Sequence, residues 1–403
     1  MTGDRSAIRL VGSAPGHDLG PMGVRVEAML RDAVDRGASD LHLDPAGAGT
    51  RCRFRVDGFF EEGPVLPPGL HDKLVSRIKV LAGLTVYRRD EIQEGAVRRD
   101  GGVDLRVSIL PTVCGEKVTI RIFDPRKRPL SLADLGFRSD VEDALGRAAE
   151  LRQGTVLVCG PSGSGKTTTL YAMLNRILER RGTCSNLCSV EDPVELALDG
   201  VHQVAVRRDR GLTFARGLGA LLRQDPEVIL VGEVRDGETA GIAVEAGMTG
   251  HLVLSSVHAG GAAEALMRLL DLGVEPYLVA SSVKVVVAQR LVRKICARCA
   301  VEDPPASALL AELGLTGRGD WRRGVGCDSC RGTGFSGRFP IAEVLVVDPV
   351  TAKRIVARQE ATALARGLRE GTALMDDGIE RARSGETTVE EILRVADRTE
   401  VRP

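Results

Sequence analysis

The 403-residue chain carries 55 Lys+Arg against 55 Asp+Glu, a balance that excludes a globally basic nucleic-acid binder or an acidic, solvating chain. A hydrophobic content of 43% and a charged content of 27% are those of a globular protein, and this length implies about two to four domains. Twelve aromatic residues leave little for base-stacking platforms, and no run approaches the ~18 apolar residues of a membrane span.

Residues 1–20 are rich in Gly, Pro, Ser and charge and hold no apolar signal core, so a disordered tail is expected there. From Gly23 the pattern becomes helical, with Val26, Met29, Leu30, Ala33 and Val34 on one face and Gly37 as a stop. Leu41/Leu43 and Cys52/Phe54/Val56 alternate as strands, and Asp57-Gly58 is a hairpin turn. Residues 70–84 read as a helix, while Val103/Leu105/Val107/Ile109 and Val118/Ile120/Ile122 read as further strands. Residues 21–125 therefore form an α+β module, and the charged, twice-proline stretch that follows opens a linker over 126–139. Beyond it, apolar runs at 155–159, 228–231 and 251–255 alternate with helical stretches, which predicts a mostly parallel α/β sheet over 140–403. A cysteine-bearing insert is expected at 291–340 and a helical C-terminal region at 346–403. There Thr388-x-x-Glu391 fits a capping box.

Gly160, Pro161, Ser162, Gly163, Ser164, Gly165, Lys166 and Thr167 spell GxxxxGKT, with Thr168 next, between a predicted buried strand and a predicted helix. Glycines let backbone N–H groups converge on phosphates at a helix N-terminus. Lys166 neutralises β/γ oxygens of ATP, and the Thr167 hydroxyl suits Mg²⁺. The run 228–231 ends in Gly232-Glu233, placing a carboxylate where ligands bind at a parallel strand's carboxyl end. Glu191, Asp192 and Glu195 follow another apolar stretch, and spacing alone fits a solvated acidic turn as well as a site. His251 and His258 bracket the run 252–257, and by spacing alone are packing residues as readily as catalytic ones.

Cys296-x-x-Cys299 and Cys327-x-x-Cys330 give four thiolates, the ligand set of a closed, structural Zn²⁺ site; a redox pair is the alternative. Nine cysteines, an odd number, point to a reducing compartment, so a cytoplasmic location is expected. Cys52, Cys114, Cys159, Cys184 and Cys188 are expected to pack. Ten Lys/Arg against five Asp/Glu between Lys284 and Arg338 could face an acidic partner or solvent.

In this order the motifs resemble the hexameric ATPases of type II secretion and type IV pilus assembly, over about 38–395. The shared blocks include Ala38-Ser-Asp-Leu-His-Leu, Arg53-Phe-Arg-Val-Asp-Gly58 and Arg106-Val-Ser-Ile-Leu-Pro-Thr112. They continue through Glu191-Asp-Pro-Val-Glu195, Leu222-Arg-Gln-Asp-Pro226, Gly232-Glu-Val-Arg-Asp236, Thr249-Gly-His-Leu252 and Ala288-Gln-Arg-Leu291. The resemblance implies a RecA-like P-loop motor domain with a zinc-knuckle insert and helical C-terminus, after a smaller α+β, PAS-like N-terminal domain. It implies that Glu191 orients or deprotonates the attacking water, that Glu233 holds the Mg²⁺ shell, and that His251 and His258 sense the phosphate. Arg106 and Arg121 match arginines that the N-terminal domain folds over the γ-phosphate, and Arg235 matches one on the motor domain. The implied partners are five further copies in a homohexamer and an inner-membrane platform protein. The chain is then expected to lie peripherally on the cytoplasmic face of that membrane, with no direct nucleic-acid contact. A retraction or DNA-uptake motor and a weakly active nucleotide-gated scaffold subunit are the alternatives; retraction motors usually lack the cysteine pairs. Gly219 stands where the family usually has Arg, and Ala259-Gly260 replaces the usual Thr-Asn. The family's first N-terminal domain is expected to be absent, and with it the platform contact that this domain commonly makes.

Overall fold

The computed structural model describes residues 20–97, 102–124, 131–182, 185–303, 319–368 and 373–396. The expected tail, the first part of the expected linker and Cys184 lie outside the described residues. The chain divides into two compact units, Met1–Arg128 and Pro129–Pro403.

In the first unit, α1 (Gly20–Asp35) turns Val26, Leu30, Ala33 and Val34 inward and is followed by Gly37 at φ 71°. β1 (Asp40–Ala46), β2 (Gly49–Val56) and β3 (Phe59–Leu66) form a meander. Asp57 and Gly58 both take positive φ, 48° and 89°, as a type I′ hairpin turn demands. α2 (His71–Leu81), β4 (Gln93–Val97), β5 (Asp104–Thr112) and β6 (Gly115–Phe123) complete the unit. The sheet order β3-β2-β1-β6-β5-β4 is antiparallel throughout. β3 and β4 went unread in the sequence, because neither alternates cleanly and β3 is mostly exposed. Leu105, Val107 and Ile109 on β5 bury with Leu41, Leu43, Phe54 and Ile120 under Leu30 and Leu74 of the helices. The period of two then puts Arg106 and Arg121 on the opposite face, as direct cross-strand neighbours.

In the second unit the expected linker is shorter than 126–139. Leu132 and Phe137 are buried in the core, with a 3₁₀ turn at Ala133–Leu135 between them, so 131–139 is part of the unit. α3 (Ser139–Ala149) leads into β7 (Gly154–Cys159), α4 (Lys166–Arg181), β8 (Leu187–Glu191), β9 (Val201–Ala205), α5 (Phe214–Leu221) and β10 (Val228–Val231). α6 (Gly237–Met248), β11 (Leu252–Val257), α7 (Ala262–Asp271), α8 (Pro276–Ser282) and β12 (Val283–Ile295) follow. β13 (Ala300–Glu302) and β14 (Arg322–Gly324) pair near the cysteines, and β15 (Phe335–Val346) returns antiparallel to β12. The seven-stranded order is β15-β12-β7-β11-β10-β8-β9, parallel except at the β15 edge. β7, β8, β10 and β11 are buried along their whole length, which is why they read as largely apolar runs, with buried polar exceptions that include Ser189, Glu191, Ser255 and Ser256. One apolar layer packs α3 and α4 against the sheet and a second packs α5 to α8 against the other face.

Two local expectations are corrected. The insert begins later and ends earlier than 291–340, because 291–295 and 335–340 are the ends of the core strands β12 and β15. The capping box forms only by half: Thr388 Oγ1 accepts from the Glu391 N–H at 3.2 Å. The Glu391 carboxylate does not turn back. It accepts from the Arg293 N–H (3.0 Å), Arg293 Nη2 (2.8 Å) and Arg394 Nη2 (2.7 Å), fastening the last helix, Val389–Val395, to β12.

Candidate functional site

Because β7, β11, β10 and β8 are parallel neighbours, their carboxyl ends share one edge of the sheet, where side chains converge on a crevice. The glycine-rich loop leaves β7 there and becomes α4 at Lys166. Gly163 and Gly165 take φ of 78° and 90°, left-handed conformations open to glycine. Gly160 is needed for a second reason, since a Cβ there would lie 2.6 Å from Ser164 Oγ. Lys166 Nζ donates to the carbonyls of Gly160 (2.9 Å) and Pro161 (3.0 Å), and burial lowers its pKa. Thr167 and Thr168 follow in the first turn of α4.

Glu191 ends β8 and is buried, 3% exposed. Tyr171 Oη, one turn into α4, donates to its Oε2 at 2.5 Å, and Ser189 Oγ (2.6 Å) and Gln203 Nε2 (3.1 Å) donate to its Oε1. Tyr171 is itself fully buried, and burial beside the Glu191 carboxylate raises its phenol pKa far above the ordinary value. The phenol therefore stays a donor. Its oxygen also accepts the Glu195 N–H at 3.3 Å, which ties the acidic turn to the same helix.

Glu233 follows β10. Ser255 Oγ and Ser256 Oγ on β11 donate to the carbonyls of Val231 and Gly232, both at 2.7 Å, and the Gly232 N–H donates to Val190 O at 2.9 Å. With its backbone pinned from both sides, the Glu233 carboxylate meets Arg235 Nη2 at 2.6 Å and His258 Nε2 at 3.4 Å. The hydrogen bond to Glu233 raises the Arg235 pKa above its already high value. Glu233 also acts electrostatically on Lys166, so the two share one field.

The second unit thus brings together Gly160 to Thr168, Glu191, Glu233, Arg235 and His258 at one sheet edge. His251 does not join them. It precedes β11, at the amino end of the sheet, and its carbonyl accepts the N–H of Gly154 at the start of β7. Six strand residues at ~3.3 Å each hold it roughly 20 Å from His258. Its Nδ1 lies 3.1 Å from Ala246 O, a packing arrangement. Arg106 and Arg121 lie in the first unit, where Arg121 Nε donates to Asp40 Oδ1 at 3.1 Å and the Arg106 guanidinium stacks 4.6 Å over Phe123.

Of the two departures from the family pattern, nothing in the structure explains glycine at 219, while at Gly260 a Cβ would lie 2.5 Å from Glu264 Oε2. Gly219 lies in α5, where an added Cβ meets nothing within 4 Å. The Gly260 N–H donates to Glu264 Oε2 at 2.8 Å, and its carbonyl accepts from Arg290 Nη2 at 2.5 Å. Sequence reasoning missed Tyr171, Ser189 and Gln203, partners of Glu191, and gave no role to Gln289, although it lies in the shared block Ala288-Gln-Arg-Leu291, or to its partner Thr169. Nothing in the type or spacing of the first three distinguishes them from packing residues.

Cys296, Cys299, Cys327 and Cys330 converge, with their sulfurs all within 4.8 Å of one another. Sγ–Sγ separations are 3.9 Å (Cys296–Cys327), 3.8 Å (Cys299–Cys330) and 3.7 Å (Cys327–Cys330). A tetrahedron with Zn–S of about 2.3 Å has edges of about 3.8 Å, so the donor set fits zinc in number, softness and size. Burial pushes the Cys330 thiol up, but the N–H groups of Cys327 and Gly334, 3.2 and 3.3 Å away, outweigh it and bring it down to about 6. Cys52, Cys159 and Cys188 are buried as expected, while Cys114 is exposed at a hairpin tip.

A parallel α/β sheet with a glycine-rich phosphate loop and two carboxylates on one edge defines an ATPase fold of the P-loop type. The chain belongs to the family described as type II/IV secretion system protein, which it matches over residues 16–394. It is 40% identical over 377 residues to the type IV pilus assembly ATPase PilB of Thermus thermophilus, covering 91% of this chain and 42% of that protein. It is 43% identical over 379 residues to the type II secretion system protein HxcR of Pseudomonas aeruginosa, covering 92% of this chain and 76% of the relative. Type II secretion system ATPase E of Vibrio cholerae is 41% identical, with 92% and 74% covered. In fold the chain is similar to the pilus retraction motor PilT, solved with bound ADP, at a TM-score of 0.64 and 23% identity, covering 92% of this chain and 96% of that one. The Legionella pneumophila ATPase DotB gives a TM-score of 0.67 at 19% identity, covering 96% and 98%.

Proposed function

We propose that the chain is a Mg²⁺-dependent ATPase, converting ATP and water to ADP and phosphate, that works as a homohexameric ring driving pseudopilus or pilus assembly. The observation that carries this reading is the phosphate loop sharing a sheet edge with two carboxylates, the buried Glu191 and the half-buried Glu233. Phosphoryl transfer asks for positioning and charge rather than covalent chemistry. Loop N–H groups and Lys166 bind the phosphates; the Thr167 hydroxyl and Glu233 would hold Mg²⁺, which would supply further charge neutralisation. A carboxylate offers about four lone-pair sites. Three donors already meet Glu191, so it orients the attacking water through what is left. In this reading His258, whose Nε2 lies 3.4 Å from the Glu233 carboxylate, reports on the γ-phosphate. Arg235 and, from the first unit, Arg106 and Arg121 supply transition-state charge, an effect worth on the order of 10³–10⁵ in rate for arginine fingers.

In this reading the four cysteines hold one structural Zn²⁺, with no open ligand position for catalysis. The motor acts in the cytoplasm, peripherally on an inner-membrane platform protein and without direct nucleic-acid contact. No helix among the described residues is long and apolar enough to cross a membrane. One observation favours a second reading, a weakly active nucleotide-gated scaffold subunit: Gly219 in place of the family's arginine.

The test is steady-state hydrolysis and nucleotide binding by purified parent, Lys166→Ala, Glu191→Gln and Arg106→Ala chains. Lys166→Ala should abolish turnover, while Glu191→Gln and Arg106→Ala should bind ATP and hydrolyse it poorly. Activity per chain should rise with protein concentration as rings form. A monodisperse monomer with concentration-independent activity overturns the ring, and a parent that never hydrolyses ATP supports the scaffold reading.

A further inference from the structure

Beneath the phosphate loop sits a buried amide that none of the site residues above accounts for. Gln289 lies on β12, one residue beyond the last pairing of that strand with β7, Ala288 with Cys159. It is 1% exposed. Its Nε2 donates to the carbonyl of Ser164 at 2.7 Å, and its Oε1 accepts from Thr169 Oγ1 on α4 at 2.9 Å. Both halves of the amide are therefore engaged; the Ser164 carbonyl, which can only accept, fixes the NH2 end toward the loop, and the Thr169 hydroxyl holds the other end. The loop rests closely on this residue: a Cβ at Gly160 would lie 2.5 Å from Gln289 O, and one at Gly165 would lie 3.2 Å from Gln289 Nε2.

The Ser164–Gly165 peptide is trans, since the cis bond among the described residues is Asp192–Pro193. In a planar trans peptide the C=O of one residue and the N–H of the next point in opposite directions. Anchoring Ser164 O inward on Gln289 turns the Gly165 N–H outward, away from the sheet and into the concave side of the loop. That is where phosphate oxygens are met by backbone donors at a helix N-terminus. Gly165, at φ 90°, has no side chain to resist a rotation of this peptide, so the buried amide supplies the constraint.

We infer that Gln289 is a positioning residue for nucleotide binding, which presets the Gly165 N–H toward the phosphates of ATP through the Ser164 carbonyl. This rests on the proposal that the loop binds nucleotide phosphates. Ground state and transition state use that N–H alike, so its loss should raise KM and leave kcat largely intact. A residue that only stabilised the fold would do the reverse, lowering the active fraction and hence kcat at constant KM.

The experiment compares parent, Gln289→Met and Thr169→Val chains by melting temperature, steady-state ATP hydrolysis and the Kd of a fluorescent ATP analogue. Methionine keeps the unbranched length of glutamine and removes its donor. Gln289→Met should raise both KM and Kd about tenfold, the size of an interaction worth ~1.4 kcal/mol, with kcat within about twofold of the parent. Thr169→Val, which frees the amide to rotate without touching the loop, should shift KM the same way by about threefold, and it carries the test if Gln289→Met does not fold. A lowered kcat at unchanged KM in the folded variants overturns the inference. A parent chain that binds no ATP overturns the nucleotide reading itself, and this inference with it.

Discussion

The Tyr171 hydroxyl donates to the Glu191 carboxylate at 2.5 Å inside the protein, joining the helix that begins at the phosphate loop to the carboxylate at the end of β8. Tyr171 is one turn beyond Lys166, so any shift of the helix start is felt at Glu191 without a longer path. The same tyrosine oxygen receives the Glu195 N–H. One side chain therefore sets the place of the acidic turn relative to the helix that begins at the phosphate loop.

Tyr171→Phe tests that coupling. It removes the donor and keeps the ring, leaving Glu191 Oε2 buried without its tyrosine partner, at a cost of about 1–3 kcal/mol. Because Glu191 is proposed to act on water and not on the nucleotide, kcat should fall while KM stays near the parent value. A melting curve and steady-state kinetics on the same preparation check both parts. Unchanged kcat would mean that Glu191 holds its place through Ser189 and Gln203 alone.

Much of this was legible in the sequence because burial and periodicity write themselves plainly in some places. The runs at β7, β10 and β11 are mostly apolar since both faces are covered, and the GxxxxGKT spacing carries its own backbone requirement. Asp57-Gly58 reads as a turn because both residues must take positive φ. The edge strand β3 did not read, since its residues face solvent and carry no pattern. Leu132 and Phe137 were hidden among prolines and charges, and only packing shows them to be core. His251 looked like a partner of His258, but a six-residue strand between them fixes them at opposite ends of the sheet. Tyr171 acts through a contact distant in the chain, which no local pattern records; Gln289 stands in the block Ala288-Gln-Arg-Leu291, but its bond to the Ser164 carbonyl is legible only in the fold.

The cysteine cluster should bind about one Zn²⁺ per chain, measured by elemental analysis after dialysis. Cys299→Ser should lose the metal and loosen 296–334, with nucleotide affinity retained, since the phosphate loop is carried by β7 and α4. Loosening should spread into the ends of β12 and β15, because the cysteines are grafted directly onto those core strands. Faster hydrogen exchange at 291–295 and 335–340 would show it. Metal-free protein with an unchanged melting profile would sink the zinc assignment.

Acidification should release the last helix. Burial pushes the Glu391 carboxyl up, but the bonds from Arg394 and Arg293 outweigh it, so its folded pKa lies below the ordinary value. A depressed folded pKa means that the stabilisation is present above the unfolded value, about 4.3, and is lost as pH falls through the folded one. The protection of Val389–Val395 against hydrogen exchange, taken relative to the intrinsic rate at each pH, should therefore fall below about pH 4. Glu391→Gln should show the fast exchange already at pH 7, corresponding to about 2 kcal/mol of local stability, and the two chains should converge in acid. A constant difference between them across this range would remove Glu391 as the fastening group.

Gly219 offers a gain-of-function test. It lies inside α5, its backbone takes no left-handed conformation, and a Cβ there would meet nothing within 4 Å. A glycine in such a place costs about 0.5–1 kcal/mol relative to alanine, through the freedom it has in the unfolded chain. Gly219→Ala should therefore raise the melting temperature without altering turnover. Gly219→Arg should give a similar gain in stability, since arginine is also a good helix former, and it adds the charge that the family usually carries there. If that charge contributes to hydrolysis, turnover should rise in the arginine variant and not in the alanine one. Equal rates in the parent, Gly219→Ala and Gly219→Arg chains would show that the position has no part in the reaction, and would take away the one observation that favours a weakly active scaffold.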